Sequence, residues 1–445
     1  MSTDPLFALS PLDGRYADDM EGIRELFSES RLIRERIYVE IMYLESFLKA
    51  TGKAKLWQDA YHRIWQDLSP RDLDYVKQIE SHTKHDVAAV IEFIKAQMPD
   101  PVKPYVHFGL TSEDVNNLAH GLMITNSRDL FLEHLKALIE ELARQAKKYR
   151  SRIMLARTHG EIATPTSMGK ELALYALRFA KCYQELKDMK IEGKILGASG
   201  NLNAFVGTYP RVDWFQVMDD LVDSMGLAPN PFTVQIMVGD TYARMLDAIR
   251  RTVGILIDFD QNIWTYFMLA YLYQKADKAS IGSSTMPHKI NPIKFENSEG
   301  NAQIAESYLE FFSNKLVKTR LQRDLTDSTV KRNIGMAFGH GILALVYALR
   351  GVRDILVNDK KIEQDFAANG QFLSELVQLV ERDKGSAEGY DHIKQQIRGK
   401  RISYKKMEGL LKDAGISQGK IDTYVKGKSA VICDKALARV KELIA

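Results

Sequence analysis

Long stripes of apolar residues, spaced alternately by three and four, most constrain what this 445-residue chain can fold into. The stripes occupy residues 33–48, 131–142, 168–189 and 246–267. This spacing puts the apolar side chains on one face of a helix, and several turns of it are typical of long helices packed lengthwise. Period-two alternation is scarce and no strand–turn–helix rhythm appears. We therefore predict an all-α protein with a bundle of long helices, whose wide apolar faces also favour an oligomer.

Composition indicates a soluble, cytoplasmic protein. Hydrophobic residues make up 45% of the chain and charged residues 27%, while a net charge of +3 is too small to indicate a nucleic-acid or membrane partner. The two cysteines, Cys182 and Cys433, offer neither a disulfide framework nor a metal-binding spacing. The first residues lack the pattern of a signal peptide, and the most apolar stretch contains Asp258 and Asp260, which argue against a membrane span.

Two segments mark possible domain boundaries. Prolines cluster in residues 98–109, and a charged, turn-rich stretch covers residues 351–366. We expect an N-terminal helical domain at 1–107, a central long-helix domain at 108–353 and a C-terminal helical domain at 354–445.

Two short segments carry histidines in polar surroundings. In "HTKHD", His82 and His85 would share a face if the segment were one helix, which could suit a metal. No third ligand is suggested nearby, so a substrate-facing His85–Asp86 pair or an exposed helix start is favoured. In "RTHG", His159 lies in a turn rather than on an apolar stripe. It can act as a general acid or base near neutral pH, with a structural hydrogen bond as the equal alternative.

Two further segments could bind an anion. "GLTSEDVNNL" (109–118) has the pattern of a helix start, in which Thr111 or Ser112 caps the helix or holds a carboxylate or phosphate. "QRDLTDSTVKR" (322–332) adds Arg323, Ser328 and Arg332 at spacings that can surround an anion. Glycine-rich nucleotide-binding loops are absent from the sequence.

The segment "SIGSSTMPHKINP" (280–292) interrupts the helical pattern with polar chemistry. Ser283 supplies a small hydroxyl, Lys289 and Asn291 can bind a carboxylate, and Glu296 could orient a histidine. A polar loop between helices is the simpler alternative, but it does not account for the residue order.

That order resembles the signature loop of the fumarase/aspartase superfamily, and His288 before the lysine resembles its adenylosuccinate lyase branch, of the long bacterial type. Similarity to that family extends over nearly the whole chain, through "SPLDGRY", "HDVAAV", "FGLTSEDVNNL", "RTHG", "FENSEGN" and "QRDLTDSTVKRN". The resemblance implies a three-domain helical fold with a central bundle that is completed by tetramerisation. It also implies active sites shared between subunits.

The resemblance implies a role for each matching residue. Ser283 would be the general base, His159 the general acid with Glu296 as its partner, and Lys289 would stabilise charge on a succinyl carboxylate. Asn291, Thr111 and Ser112 would hold the succinyl carboxylates. Further substrate contacts would come from Arg15, Tyr16, Lys84, His85, Asp86, His107, Thr158, Gln235, Arg323, Ser328 and Arg332.

The implied reaction eliminates fumarate from adenylosuccinate to give AMP, and from the succinyl-carboxamide ribotide of purine synthesis, without a metal or cofactor. Alternatives are another fumarate-releasing lyase, such as argininosuccinate lyase, or a catalytically silent helical scaffold. Four positions depart from the family pattern near presumed site residues: Lys84, Glu161, Met237 and Gly239.

Overall fold

A computed structural model describes residues 5–274 and 290–445. Helices dominate this part of the chain, which confirms the all-α prediction. The helices are α1 (Glu21–Leu26), α2 (Glu29–Ala50), α3 (Arg63–Gln66), α4 (Pro70–Thr83), α5 (Asp86–Gln97), α6 (Ser112–Lys148), α7 (Met168–Lys187), α8 (Asn203–Thr208), α9 (Trp214–Ser224), α10 (Asp240–Met268), α11 (Ile293–Leu316), α12 (Thr326–Lys331), α13 (Ile334–Asp354), α14 (Asp359–Ala368), α15 (Ser374–Asp383), α16 (Gly389–Ile397), α17 (Tyr404–Asp413), α18 (Gln418–Lys426) and α19 (Ser429–Leu443).

Short strands form three two-stranded sheets within the described residues. The strands are β1 (Ile153–Thr158), β2 (Glu161–Ser167), β3 (Glu192–Gly193), β4 (Ala228–Pro229), β5 (Leu272–Gln274) and β6 (Ile355–Val357). Strands β1 and β2 pair antiparallel, as do β5 and β6, whereas β3 and β4 pair parallel.

The chain groups into two compact units, each built from three separate segments. Unit 1 comprises Met1–Glu133, Glu185–Val253 and Gln303–Leu343, and unit 2 comprises His134–Gln184, Gly254–Ala302 and Ala344–Ala445. The division into domains at 1–107, 108–353 and 354–445 stays a prediction.

The four apolar stripes lie on α2, α6, α7 and α10, as the spacing predicted. All five residues of the first stripe are buried in α2, namely Ile33, Ile37, Ile41, Leu44 and Leu48. Most apolar residues of the other three stripes are buried as well. Helix α2 begins after Ser28, whose side chain accepts a hydrogen bond from the backbone N–H of Arg31. Capping satisfies an otherwise unpaired N–H, so the sequence fixes where this helix starts.

Unit 1 has an aromatic core beside α2. The ring of Phe47 packs against Phe108 at 4.9 Å between centroids and stacks on Trp214 at 5.9 Å. In unit 2, an apolar cluster joins Leu155 of β1 to the helices that follow residue 370. One segment, Thr326–Asp354, is apolar enough by composition to cross a membrane. However, 67% of its most apolar window is buried inside the protein, as in a core helix.

Candidate active site

The residues expected to contact substrate divide between the two units. Those in unit 1 are Arg15, Tyr16, Lys84, His85, Asp86, His107, Thr111, Ser112, Gln235, Arg323, Ser328 and Arg332. Those in unit 2 are Thr158, His159, Asn291 and Glu296. Ser283 and Lys289 lie outside the described residues.

The start of α6 is organised by Asp114 rather than by a hydroxyl cap. The Asp114 carboxylate accepts hydrogen bonds from the backbone N–H groups of Thr111 (2.9 Å), Leu196 (2.9 Å) and Gly197 (3.2 Å). It also forms an ion pair with Lys194 at 2.7 Å, in which both side chains are fully buried. Within the described residues the hydroxyls of the half-buried Thr111 and Ser112 make no hydrogen bond.

Loop 197–202 is tied to the same helix start and leads to Gln235. Asn117 exchanges hydrogen bonds with the backbone of Lys194, accepting from its N–H and donating to its carbonyl. Gln235 in turn donates to the carbonyl of Ala198 at 2.6 Å. Gln235 and Arg323 together line a cavity of about 390 Å³, so the structure brings these two predicted residues to one place.

Arg323 is joined to the first turn of α6 through a buried carboxylate. Glu113 lies 3.3 Å from the guanidinium of Arg323 and 3.2 Å from the ammonium of Lys331, which also pairs with Asp327 at 2.8 Å. Burial alone would lower the pKa of Lys331, but its two carboxylate partners outweigh burial and raise it. Lys331 is therefore charged, and Glu113 links the segment of Arg323 and Ser328 to the helix that begins at Ser112.

Asp86 connects two arginines at the start of α5. Its carboxylate lies 2.7 Å from the buried Arg36 and 2.6 Å from Arg332, which also pairs with Glu29. Burial would raise the pKa of Asp86, but the two guanidinium groups lower it below its usual value. His85 caps α5 by accepting a hydrogen bond from the N–H of Ala88, so Asp86, Arg332 and His85 form one cluster.

His82 and His85 do not share a helical face, and His85 lies at an exposed helix start, one of the two alternatives that the sequence favoured. Helix α4 ends at Thr83 because Lys84 adopts the left-handed conformation, with φ of 56°, and α5 begins only at Asp86. The two histidines therefore belong to different elements. Lys84 itself, one of the departures from the family pattern, is the residue that makes this break.

Arg15 and Tyr16 lie in the turns near the N-terminus. The guanidinium of Arg15 sits over the ring of Tyr16 at 5.9 Å from its centroid, within range of a cation–π contact. Arg15 is exposed and Tyr16 half-buried.

His159 and Gly160 form the two-residue turn of the β1–β2 hairpin. Both have positive φ, 54° and 81°, and the flanking Thr158 and Glu161 pair across the strands. Two successive positive φ values are typical of a tight hairpin turn with the twist of the sheet, and a histidine rarely adopts one. The turn at His159 was predicted and the hairpin was not, although a His-Gly pair between β-branched stretches is the signal that could have indicated it.

Glu296 lies in the first turn of α11 and accepts a hydrogen bond from the indole N–H of Trp264 at 3.1 Å. Within the described residues no hydrogen bond or ion pair joins Glu296 to His159, so their pairing stays a prediction.

Two of the departures from the family pattern have local structural explanations. Met237 is buried, and Gly239 leaves no room for a side chain, because a Cβ there would lie 2.7 Å from the carbonyl of Leu316.

Comparisons with known proteins match nearly all of the chain. Residues 14–305 match a family model described as "Lyase", and residues 319–425 match one described as "Adenylosuccinate lyase C-terminal". The adenylosuccinate lyase of Escherichia coli K12 is 40% identical over 92% of this chain and 93% of its own length. That of Haemophilus influenzae is 37% identical over 94% of each chain, and that of Vibrio cholerae is 39% identical over 92% of this chain and 93% of its own.

Solved structures share the fold at low sequence identity. A fumarate lyase from Mesorhizobium sp. BNC1 superposes with a TM-score of 0.76 at 17% identity, covering 94% of this chain and 97% of that one. A 3-carboxy-cis,cis-muconate lactonizing enzyme from Pseudomonas putida gives a TM-score of 0.77 at 19% identity, covering 95% and 97%.

Proposed function

The chain belongs to the adenylosuccinate lyase family, and on that premise we propose that it eliminates fumarate from adenylosuccinate and leaves AMP. The observation that carries the proposal is the 37–40% identity to relatives of that name over more than nine-tenths of each chain. In the elimination, the bond between the purine-side nitrogen and the succinyl carbon breaks, the neighbouring carbon loses a proton, and the nitrogen gains one. The site must therefore supply a base, an acid and donors for the carboxylates.

We assign the general acid to His159. Its place at an exposed hairpin turn supports this, because the imidazole projects from the turn and is not committed to the core. An imidazole has an intrinsic pKa suited to protonating a departing nitrogen near neutral pH. Glu296 is its proposed partner.

We assign the general base to Ser283 and charge stabilisation to Lys289, from the family resemblance. Removing the proton builds negative charge on the adjacent carboxylate, which requires donors and a cation already in place. A serine hydroxyl is a weak acid, so Ser283 acts as a base only where its alkoxide is stabilised in a site that excludes water. Asn291 is proposed to hold a carboxylate beside Lys289.

The binding contribution of unit 1 rests on its clustered cations and on the hydroxyls at the start of α6. Arg332 and His85 adjoin Asp86, Arg323 shares a cavity with Gln235, and Thr111 and Ser112 offer hydroxyls at a helix start. Backbone N–H groups and the dipole at that start favour an anion. We propose that these groups hold the carboxylates and the nucleotide, as do Arg15, Tyr16, Lys84, His107 and Ser328. From the family resemblance we assign a substrate contact to Thr158 as well.

Fumarate release measured by ultraviolet absorbance tests the function. Purified protein should release fumarate from adenylosuccinate, and from the succinyl-carboxamide ribotide, with no added metal or cofactor. Cleavage of argininosuccinate in place of both would transfer the chain to another activity of the superfamily. No elimination from any of them would favour a silent scaffold.

Substitution of Ser283 tests the proposed base. We expect Ser283→Ala to abolish turnover and to retain AMP binding, because the hydroxyl takes the proton and contributes little to holding the nucleotide. Ser284→Ala, the adjacent serine, is the matched control and should stay active. Near-normal turnover in Ser283→Ala would remove that residue from the role.

We also propose a cytoplasmic homotetramer with active sites shared between subunits. Ile293, Ile304 and Phe311 on α11 are each about half exposed, and their spacings of 11 and 7 place them on one helical face. An exposed apolar stripe of this kind is typical of a face that another chain covers. Analytical ultracentrifugation should give four times the chain mass of 50.6 kDa. A monomer that is fully active would contradict the proposal.

A further inference from the structure

A buried glutamate on α2 holds the histidine of the loop that leads into α6. Oε1 of Glu40 lies 2.5 Å from Nδ1 of His107. The Glu40 side chain is fully buried, and the His107 side chain is 18% exposed. The second oxygen, Oε2, has no hydrogen-bond partner among the described residues. In that part of the chain His107 is therefore the one group that compensates this buried carboxyl.

Helix α2 also fixes the backbone on which His107 sits. The hydroxyl of Tyr43 donates to the carbonyl of Phe108, and the ring of Phe47 packs on that of Phe108. Glu40, Tyr43 and Phe47 are spaced by three and four residues, so one face of α2 contacts both His107 and Phe108. His107 itself has a φ of 60°, a conformation that non-glycine residues adopt only when the surroundings impose it.

The charges that face His107 come from three helices. Burial would lower the pKa of His107, but the charge and hydrogen bond of Glu40 on α2 outweigh burial and raise it. Asp114 on α6 adds to the rise, while Lys95 on α5 opposes it. The imidazole therefore carries its second proton to a higher pH than a free histidine does. Nδ1–H is committed to Glu40, and within the described residues Nε2 makes no hydrogen bond.

We propose that Glu40 is a positioning residue that holds His107 as an oriented imidazolium, whose Nε2–H donates to an anionic group of the substrate. That group is a carboxylate or a phosphate, both of which an imidazolium can bind through a charge-assisted hydrogen bond. The inference rests on the proposed function, which supplies a substrate bearing both anions. The sequence position supports it, because His107 lies only four residues before Thr111, at the start of α6.

Glu40→Gln tests the inference in the full-length oligomer. Glutamine keeps the volume and can still accept from Nδ1–H, but it removes the charge that keeps His107 protonated. We expect the KM of the variant to equal that of the wild type at low pH, where His107 is charged in both proteins. The ratio of the two KM values should then rise about tenfold per pH unit between the pKa of His107 in the variant and that in the wild type. The kcat ratio should stay nearly constant.

Two further variants separate this effect from loosening of the loop. Tyr43→Phe removes the hydroxyl that holds Phe108 and leaves the charge of Glu40 in place, so any rise in KM should be independent of pH. In a His107→Gln background, Glu40→Gln should have no further effect on KM, because the group it acts through is gone. A KM ratio for Glu40→Gln that is flat with pH, or that persists in the His107→Gln background, would overturn the inference.

Product binding identifies the anion. If His107 holds the phosphate, Glu40→Gln should weaken the binding of AMP at pH 8 and leave the binding of fumarate unchanged. If His107 holds a carboxylate, the binding of fumarate should weaken and that of AMP should stay unchanged. Unchanged affinity for both would also overturn the inference. Calorimetric binding of AMP and of fumarate needs no turnover. Failure of the wild type to cleave adenylosuccinate would therefore refute the proposed function alone, and binding would still test Glu40.

Discussion

Asp260 is a carboxyl group that the fold isolates from water. It is fully buried on α10, and neither of its oxygens has a hydrogen-bond partner among the described residues. The polar group facing it is the Ser298 hydroxyl of α11, which donates its single proton to the carbonyl of Ala344 at 2.9 Å. That hydroxyl can accept from a protonated acid but cannot donate to a carboxylate. Burial therefore favours the neutral form of Asp260 in the folded protein.

This neutrality makes stability depend on pH. Burial raises the pKa of Asp260 well above its ordinary value, and the nearby Glu299 raises it further. An acid whose pKa is higher in the folded state gives its full stabilisation below the unfolded pKa of about 4, and this is lost as the pH rises through the folded pKa. The loss is about 1.4 kcal/mol per pH unit within that window.

Asp260→Asn removes the titration and keeps the shape. The asparagine amide can donate to Ser298 without binding a proton, so the variant should gain stability relative to the wild type as the pH rises. The gain should grow by about 1.4 kcal/mol for each pH unit by which the pH rises between the unfolded and the folded pKa of Asp260. Urea unfolding followed by circular dichroism, at one protein concentration and at several pH values, measures it. Ser298→Ala is the control, since it should lower stability but keep the wild-type pH dependence. An equal pH dependence in Asp260→Asn and the wild type would refute the argument.

Three further predictions concern unit 1. Lys194→Met should lower the free energy of unfolding by about 3–5 kcal/mol, because it leaves Asp114 without its buried cation. The control Lys187→Met, at an exposed site, should change the free energy of unfolding by less than about 0.5 kcal/mol. Urea unfolding measures both. Gly109→Ala should cost more than Gly52→Ala in thermal unfolding, because both glycines have positive φ but only at Gly109 would a Cβ meet a ring, that of Phe205 at 2.8 Å. Equal losses of thermal stability in the two variants would mean that backbone strain alone sets the effect of the substitution. Asp86→Asn should destabilise the protein above about pH 4 and lower its urea midpoint. The difference in midpoint from the wild type should shrink as the pH falls below about 4. Asp86, whose pKa is lowered, then becomes protonated in the wild type, which loses the same interaction.

The helices were predictable because their signal is local. The apolar stripe on α2 and the cap at Ser28 lie within one stretch of sequence, and the buried face follows directly from them. The hairpin at His159 depended on two positive φ values, for which the sequence offers only the short His-Gly signal. The helix break at Lys84 had even less warning, because lysine is not a residue that favours the left-handed conformation.

The contacts that organise the site could not be predicted from the sequence. Lys194 and Lys331 are fully buried although lysine is ordinarily exposed. Asp114, the partner of Lys194, and Glu113, one of the two partners of Lys331, lie 80 and 218 residues away in the chain. No local pattern encodes such pairs, since the fold alone brings them together. For the same reason, the role of Asp114 was not predicted. In the structure it binds three backbone N–H groups and a lysine.

The buried charges of unit 1 are hard to explain by stability alone. The free energy needed to remove an ion pair from water is about as large as the attraction between its two charges. Apolar residues of the same volume therefore often stabilise a protein more. Yet three buried carboxylates of this unit, and the half-buried Asp86, each contact a residue that the family resemblance assigns to substrate. The pairs are Glu40 with His107, Asp114 with Thr111, Glu113 with Arg323, and Asp86 with Arg332. Donors that are fixed before the substrate arrives need not reorganise when charge develops, and this favours rate and affinity over stability. The same argument predicts that Lys194→Met also raises KM, because it removes the cation beside Asp114. A substitution that affects packing alone should leave KM unchanged.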